Sequence, residues 1–346
     1  MTKMKTGRIL LIYTGGTIGM GKNPTTGALE PLDIANLLKQ VQEIRYINTD
    51  VDIQQFPHPI DSSDVTPKLW EQIVQIIQNH YEQYDGFVIL HGTDTMAYTA
   101  SALSFMLQNL TKPVILTGSQ LPVGLPRTDG KENLLTSIEL AAAVQSDGKP
   151  YTPEVCIYFS GRLLRGNRTT KINADGFHAF ESFNYPHLCD AGVDFKFHQH
   201  HILQPDYSRP LLVQTEMRPD VAVFSLFPGI TEPVVRHMLE APNLKAIVMR
   251  SFGSGNAPQQ QWLVKALKNA NDNNIVVVNI SQCIAGSVQM QRYDSGFWLH
   301  EAGVISGNDS TVEAAVTKLM YLLAQYNDPD TVRLYMEKNL VGEITV

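Results

Sequence analysis

Two threonines and an acid stand where two apolar runs stop, and these residue types suit work on a small polar substrate. Ile9-Leu10-Leu11-Ile12 leads into Tyr13-Thr14-Gly15-Gly16-Thr17, and Phe87-Val88-Ile89-Leu90 leads into His91-Gly92-Thr93-Asp94. A short apolar run ended by glycine and small polar residues predicts a strand buried on both faces that turns into a helix. In a parallel sheet the carboxyl ends of the strands share one edge, so the hydroxyls of Thr17 and Thr93 and the carboxylate of Asp94 are expected to face one crevice. A threonine after a glycine turn is, taken singly, an ordinary helix cap. Two of them at two strand ends, one beside an acid, point to chemistry instead. A hydroxyl attacks a carbonyl carbon only if another group takes its proton. The chain has no G-x-S-x-G, which excludes a nucleophile elbow. The base then expected is a lysine made neutral by burial, or one relayed through a second hydroxyl.

Strand-like and helix-like stretches alternate through the first half, the pattern of βαβ units around a mainly parallel sheet. Thr66-Pro67 starts a helix in which Thr66 can cap the first turn and Leu69, Ile73, Ile76 and Ile77 share a face. Residues 96–110 are expected as the next helix, followed by strands at 113–116, ending in Thr117-Gly118-Ser119-Gln120, and at 155–159. From about Ala179 to Pro219 the periodicity fails. Beyond it, strands at 221–224, 246–249 and 275–278, with helical stretches such as 261–270 between them, imply a second α/β unit. At 346 residues the chain exceeds the size one core usually reaches. The expected division is an N-terminal α/β catalytic domain over 1–195, a linker over 196–218 and a smaller C-terminal α/β domain over 219–346.

Composition narrows the class. With 27 basic against 34 acidic residues, a net charge of −7 gives no footprint for nucleic acid or an anionic membrane. The basic start is followed by an apolar stretch too short for a signal-peptide core, and no run spans a membrane. Cys156, Cys189 and Cys283 are widely spaced and lack a C-x-x-C pattern, as expected in a reducing cytoplasm.

Other motifs have plain readings. Gly16 to Asn23 is one residue short of G-x-x-x-x-G-K-[ST], but Asn23 offers no hydroxyl to Mg²⁺, so nucleotide binding is not expected. His198, His200 and His201 lack a cysteine or carboxylate at ligand spacing, so no metal is expected there. The stretch Arg165-Gly166-Asn167-Arg168-Thr169-Thr170-Lys171 reads by itself as a solvated basic loop. Asp61-Ser62-Ser63-Asp64 reads as a loop leading into a helix, although serine hydroxyls and loop N–H groups are also what an α-carboxylate needs.

Tyr-Thr-Gly-Gly-Thr-Ile at 13–18, His-Gly-Thr-Asp-Thr at 91–95 and Thr-Thr-Lys at 169–171 resemble the bacterial-type L-asparaginases. From about residue 8 to 345 the chain is similar to their cytoplasmic type I branch. The resemblance implies a two-domain asparaginase/glutaminase-like α/β fold, with a larger N-terminal domain on a mainly parallel sheet and a smaller C-terminal α/β domain. It implies hydrolysis of L-asparagine to L-aspartate and ammonia, without metal or cofactor, by a cytoplasmic homotetramer built as a dimer of dimers. By position Thr17 resembles the primary nucleophile, and Thr93, Lys171 and Asp94 the second triad, with Lys171 passing protons through Thr93. Asp94 would also pair with the substrate α-ammonium, Ser62 and Ser63 would hold the α-carboxylate, and backbone N–H groups near Gly16 and Thr93 would meet the oxyanion. A neutral Lys171 needs desolvation or a cationic neighbour, for which Arg165 or Arg168 is the candidate.

One position departs from the pattern. Most members of the family place a tyrosine in the loop after the first motif, whereas Ala28 falls near that slot here and no tyrosine lies between Ile18 and Arg45. Some relatives use a C-terminal tyrosine, for which Tyr293 is the candidate. Certain cytoplasmic members bind a second asparagine at a regulatory site, and Thr170, Arg250 and Cys283 resemble positions used there. Two rival readings follow from the same fold. One is the tRNA-dependent amidotransferase subunit, which normally carries an extra N-terminal domain where this chain begins its first strand at Ile9. The other is an amino-acid sensor without catalysis, against which the intact Thr17, Thr93, Asp94 and Lys171 set argues.

Overall fold

The apolar runs pair side by side within an eight-stranded sheet. The structure is a computed structural model that describes residues 7–22, 27, 29–31, 34–290 and 294–345. In chain order the strands of this sheet are β1 (Gly7–Gly15), β2 (Thr49–Ile60), β3 (Gly86–Leu90), β4 (Val114–Thr117), β5 (Val155–Phe159), β6 (Arg162–Arg165), β7 (Cys189–Ala191) and β8 (Phe195–Phe197). They lie in the order β8-β7-β6-β5-β4-β3-β1-β2. The pairs β2/β1, β1/β3, β3/β4 and β4/β5 are parallel, whereas β5/β6, β6/β7 and β7/β8 are antiparallel. β1, β3 and β4 therefore end on one edge.

Helices cover both faces of the parallel part, which is why its strands read as unbroken apolar runs. On one face Ile9, Leu11, Tyr13, Val88, Leu90 and Ile115 cluster with Leu134 and Ile138 of α3 (Gly130–Ala142). Of the other two principal helices, α1 (Pro67–His80) buries Leu69, Trp70, Ile73, Val74 and Ile77, and α2 (Met96–Met106) is buried almost all round. Thr66 occupies the N-cap position of α1 in an extended conformation, but its side chain makes no capping hydrogen bond. α2 stops at Met106, short of the expected 110, and Leu107–Gln108 pairs with Leu212–Val213 instead.

The chain divides into two compact units, Met1–Thr215 and Glu216–Val346. Much of the stretch 196–218, expected as a linker, is fastened into the first unit. Phe197 ends edge strand β8 and stacks on Tyr151 at 4.0 Å, and the backbone N–H of Leu203 donates to Glu154 at 2.8 Å. Single side-chain anchors of this kind leave no periodic trace. The second unit carries a four-stranded, all-parallel sheet of β9 (Val221–Ser225), β10 (Ala246–Ser251), β11 (Val276–Ser281) and β12 (Ile305–Ser306). Its core joins Ile247, Met249 and Val277 to Leu263 and Leu267 of α4 (Gln261–Asp272).

Candidate active site

Glycine lets three chain segments meet at the carboxyl edge of the first sheet. Gly16 has φ 89°, and a Cβ built on it would fall 2.5 Å from the backbone nitrogen of Gly92. A Cβ on Gly92 would in turn fall 2.5 Å from Ser62 Oγ. Real side-chain carbons do not approach so closely, so the ends of β1, β2 and β3 are in contact only because both positions lack a side chain. Gly16 N–H also donates to Ile60 O at 3.2 Å, which ties the end of β1 to the end of β2.

Thr17 opens a 3₁₀ turn, Thr17–Gly19, whose N-cap is Gly16. Its half-buried hydroxyl hydrogen-bonds to no group among the described residues and caps no helix. After this turn the chain forms the short strand Met20–Lys22, paired antiparallel with Leu29–Pro31. The glycine-rich stretch thus leads into a hairpin and not a helix N-terminus, so it lacks the architecture of a phosphate-binding loop.

Thr93 is the centre of the hydrogen bonding. Lys171 Nζ donates to Thr93 Oγ1 at 2.8 Å and to Asp94 Oδ1 at 2.6 Å. Thr93 is buried and so is most of the Lys171 side chain, while the Asp94 side chain is 66% exposed. Asp94 is therefore a carboxylate that meets Lys171 on one side and solvent on the other. Lys171 reaches this point from a small hairpin in which Thr170–Lys171 pairs with Phe180–Glu181. The Thr93 hydroxyl donates to Gln120 Oε1 at 3.3 Å, at the end of β4. Neither Thr93 nor Asp94 caps α2; that position belongs to Thr95, whose hydroxyl donates to Ser62 O at 2.7 Å.

The stretch before Lys171 is not a solvated basic loop. Arg165, Asn167, Arg168 and Thr169 are all at least 97% buried. Arg165 Nε donates to Glu154 Oε2 at 2.7 Å and its guanidinium lies 4.2 Å from the Tyr185 ring centre, while Arg168 donates to Asn184 O at 2.8 Å. Burial here is tolerable because the charge is paired. The carboxylate of Glu154 neutralises Arg165, which makes it a structural cation and a poor source of positive field for Lys171.

Ser62 and Ser63 form the 3₁₀ turn Ser62–Asp64 at the end of β2. Asp61 Oδ1 accepts from both the N–H and the hydroxyl of Ser63, each at 2.9 Å, and the N–H contact leads in holding its carboxyl below the usual range. Ser62 is buried against Gly92, whereas Ser63 is exposed.

His91 has a structural role that its motif does not reveal. It is buried, with Nδ1 2.7 Å from Gly92 O and Nε2 2.9 Å from Thr99 Oγ1. Trp70 Nε1, which can only donate, lies 3.0 Å from the same Thr99 oxygen. The Thr99 hydroxyl therefore donates to His91 Nε2, and Nδ1–H donates to Gly92 O. Burial pushes the imidazole down to about 4, so the ring is neutral. In a trans peptide C=O and N–H point opposite ways, so holding Gly92 O also fixes the direction of Thr93 N–H.

Ala28 and Tyr293 lie outside the described residues. Thr170 belongs to the first unit, and Arg250 and Cys283 to the second. Cys283 is exposed and borders a cavity of about 450 Å³ with Gly253, Ser254 and Gln289. Among the described residues no group of three or more His, Cys, Asp or Glu is placed to hold a metal ion, and no helix is long and apolar enough to cross a membrane.

Hydroxyls on the carboxyl edge of a parallel sheet, one of them bonded to a lysine that is itself paired with a carboxylate, place the protein among enzymes that transfer protons at a small polar substrate. Comparison with known proteins is specific. The family model "Asparaginase, N-terminal" matches residues 8–203, and "Glutaminase/Asparaginase C-terminal domain" matches residues 220–336. L-asparaginase 1 of Escherichia coli K12 is 46% identical over 342 residues, covering 97% of this chain and 98% of the relative. The crystal structure of L-asparaginase I from Vibrio cholerae superposes with a TM-score of 0.90 at 42% identity, over 99% of this chain and 100% of the other. The thermostable L-asparaginase of Thermococcus kodakarensis gives 0.89 at 33% identity, over 98% and 99%. The chain belongs to the asparaginase family, and its two units are the two α/β domains of that fold.

Proposed function

We propose that this protein hydrolyses L-asparagine to L-aspartate and ammonia, with Thr17 as the nucleophile and Thr93, Lys171 and Asp94 as the proton-handling set. The observation that carries the reading is the pair of Lys171 contacts, 2.8 Å to Thr93 and 2.6 Å to Asp94, on a strand end that abuts Gly16 and hence Thr17. Asparagine brings opposite charges on its α-groups. Ser62 and Ser63 receive the α-carboxylate and Asp94 the α-ammonium, which aims the side-chain amide at Thr17. Orientation of this kind lowers a barrier by several kcal/mol, up to about 7–11 for ideal cases.

Thr17 Oγ then attacks the amide carbon, and its proton passes through Thr93 and Lys171 to the amide nitrogen. The C–N bond breaks, ammonia leaves, and an aspartyl ester remains on Thr17. Water adds to the ester carbon, its proton passes through Lys171 and Thr93 to Thr17 Oγ, and the bond to Thr17 Oγ breaks to release aspartate and restore the hydroxyl. Backbone N–H groups at Gly16 and Thr93 take the oxyanion of each tetrahedral intermediate, a contribution of about 3–4 kcal/mol per well-placed donor. Asp94 cannot serve the substrate ammonium and Lys171 Nζ equally. Substrate binding thus loosens Lys171 from Asp94 and leaves it to Thr93.

The same reading takes the enzyme as a cytoplasmic homotetramer, with Tyr293 assisting Thr17 and with Thr170, Arg250 and Cys283 at a regulatory asparagine site. Residues 1–215 carry the catalytic groups and 216–346 form the C-terminal companion. Ammonia and aspartate release by the purified protein on a panel of amides tests the activity. Thr17→Ala and Thr93→Ala each lower turnover by about 10³-fold or more with the fold intact, because each removes a small group at a strand end. Wild-type turnover in either variant rejects the assignment.

A further inference from the structure

Gln120 has no part in the scheme above, yet it ties Thr93 to the turn that follows Lys171 and to the start of α3. Its side-chain nitrogen Nε2 donates to two backbone carbonyls, Ala174 O and Gly176 O, both at 3.1 Å. These carbonyls belong to the turn that follows Lys171 inside the hairpin. An amide nitrogen has two hydrogens, and both are now committed. The side-chain oxygen Oε1 is thereby the atom turned toward Thr93, and an amide oxygen only accepts. The Thr93 hydroxyl proton must point at Gln120, as the 3.3 Å contact records, and its lone pairs are left facing Lys171 Nζ at 2.8 Å.

The backbone of Gln120 is held as firmly as its side chain. Its N–H lies 3.1 and 3.0 Å from the two carboxylate oxygens of Asp129, and Leu121 N–H donates to the same group at 3.1 Å. Asp129 precedes α3 and is braced by Asn133, whose Nδ2 also donates to Gly118 O at 3.0 Å. The residue that orients Thr93 is thus anchored to the sheet edge through α3, independently of the hairpin that carries Lys171.

We propose that Gln120 is a positioning residue that sets the direction of the Thr93 hydroxyl, and with it the direction of proton flow between Thr93 and Lys171. With the proton on the Gln120 side, Thr93 accepts from a protonated Lys171; when Lys171 has given its proton up, the hydroxyl turns from Oε1 and donates to Nζ. The amide makes the first state definite without trapping it, because 3.3 Å is a long and weak hydrogen bond for a hydroxyl donor. A carboxylate in its place would hold the proton more tightly, and an apolar group would not hold it at all.

The inference rests on reading Thr93 and Lys171 as the proton relay, so its test includes a control on that reading. Full-length Gln120→Met and Gln120→Glu are compared with the wild type for kcat and KM on L-asparagine across pH, with thermal unfolding as the check on folding. Both variants lose the two donors to Ala174 and Gly176, so the difference between them reports the oxygen facing Thr93. The expected result is a kcat lowered about tenfold or more in each, with KM within about threefold, and an acid-side limb of the kcat profile that moves to lower pH in Gln120→Met and to higher pH in Gln120→Glu. Opposite displacements are not produced by a residue that only props up the hairpin. Limbs that stay where the wild-type limb lies overturn the proposal, as does wild-type kcat in both variants. If Gln120→Met does not fold, the direction of the Gln120→Glu limb decides alone. Thr93→Val separates the two levels of the argument: an inactive Thr93→Val beside unshifted Gln120 variants removes this inference only, whereas an active one removes the relay and the role of Gln120 together.

Discussion

His91 makes stability depend on acid in a way that a single substitution isolates. The ring is fully enclosed, accepts from Thr99 at Nε2 and donates to Gly92 O at Nδ1, and is held neutral down to about pH 4 against an ordinary value of 6.5. The unfolded chain takes a proton on this histidine below about 6.5, while the folded chain refuses it until about 4. Stability from this group is therefore constant above the upper value, falls as the pH drops between the two, and is constant again below the lower one. Linkage puts the loss at about 2 kcal/mol by about pH 5 and about 3 kcal/mol in all. His91→Gln keeps a neutral polar side chain and removes the titration. Urea unfolding of both proteins at about pH 7.5 and about pH 5 gives the loss for each; the wild type should lose about 2 kcal/mol more than His91→Gln. All other groups titrate equally in the two chains and cancel. Equal losses would refute the claim that a neutral, buried imidazole fixes the Gly92–Thr93 peptide.

Three further outcomes follow from local geometry. Gly92→Ala places a carbon 2.5 Å from Ser62 Oγ and 2.7 Å from Ser62 Cβ, so it should cost about 1–3 kcal/mol by overpacking and raise KM by displacing Ser62, which denaturation and steady-state kinetics measure. Asp94→Asn should leave the thermal midpoint unchanged, since the side chain is 66% exposed, while kcat/KM falls about a hundredfold or more through loss of the ammonium partner. Lys318 and Glu343 are a buried pair 2.5 Å apart in the second unit, with side chains 2% and 0% exposed. Lys318→Met removes the cation from a buried carboxylate that keeps the backbone N–H donors of Leu340 and Val341, and should destabilise that unit by about 3–5 kcal/mol, with calorimetry showing the loss in its transition.

The parallel strands were legible because burial on both faces writes a continuous apolar run. Ile9 to Ile12 and Phe87 to Leu90 carry that signal, and the glycine-rich ends mark where each stops. β2 left no such mark: it is an edge strand with mostly polar or part-exposed side chains and two prolines, Pro57 and Pro59, tolerated there because an edge need not donate on both sides. The Arg165–Lys171 stretch looked like a solvated loop because a sequence does not show that Glu154 and Tyr185 wait to pair with Arg165. Residues 196–218 hid their anchoring for the same reason, as with Phe197 on Tyr151. Within the site, Thr17, Thr93, Asp94 and Lys171 stand in motifs, whereas the Gln120 side chain acquires meaning through partners 27 to 56 residues away, and His91 through Thr99, 8 residues on, together with its neighbour Gly92. Gln120 nonetheless had a signal. It ends Thr117-Gly118-Ser119-Gln120, the third strand end on the edge where the other two meet.

The central claim is that Thr17 attacks the amide and carries the acyl group. Rapid acid quench of the purified protein mixed with L-asparagine, followed by peptide mapping in a mass spectrometer, tests it at the atom concerned. An aspartyl adduct confined to the peptide that contains Thr17, lost in Thr17→Ala together with ammonia release, is the result predicted. Ammonia released at the wild-type rate by Thr17→Ala, or an adduct on a different residue, would contradict it.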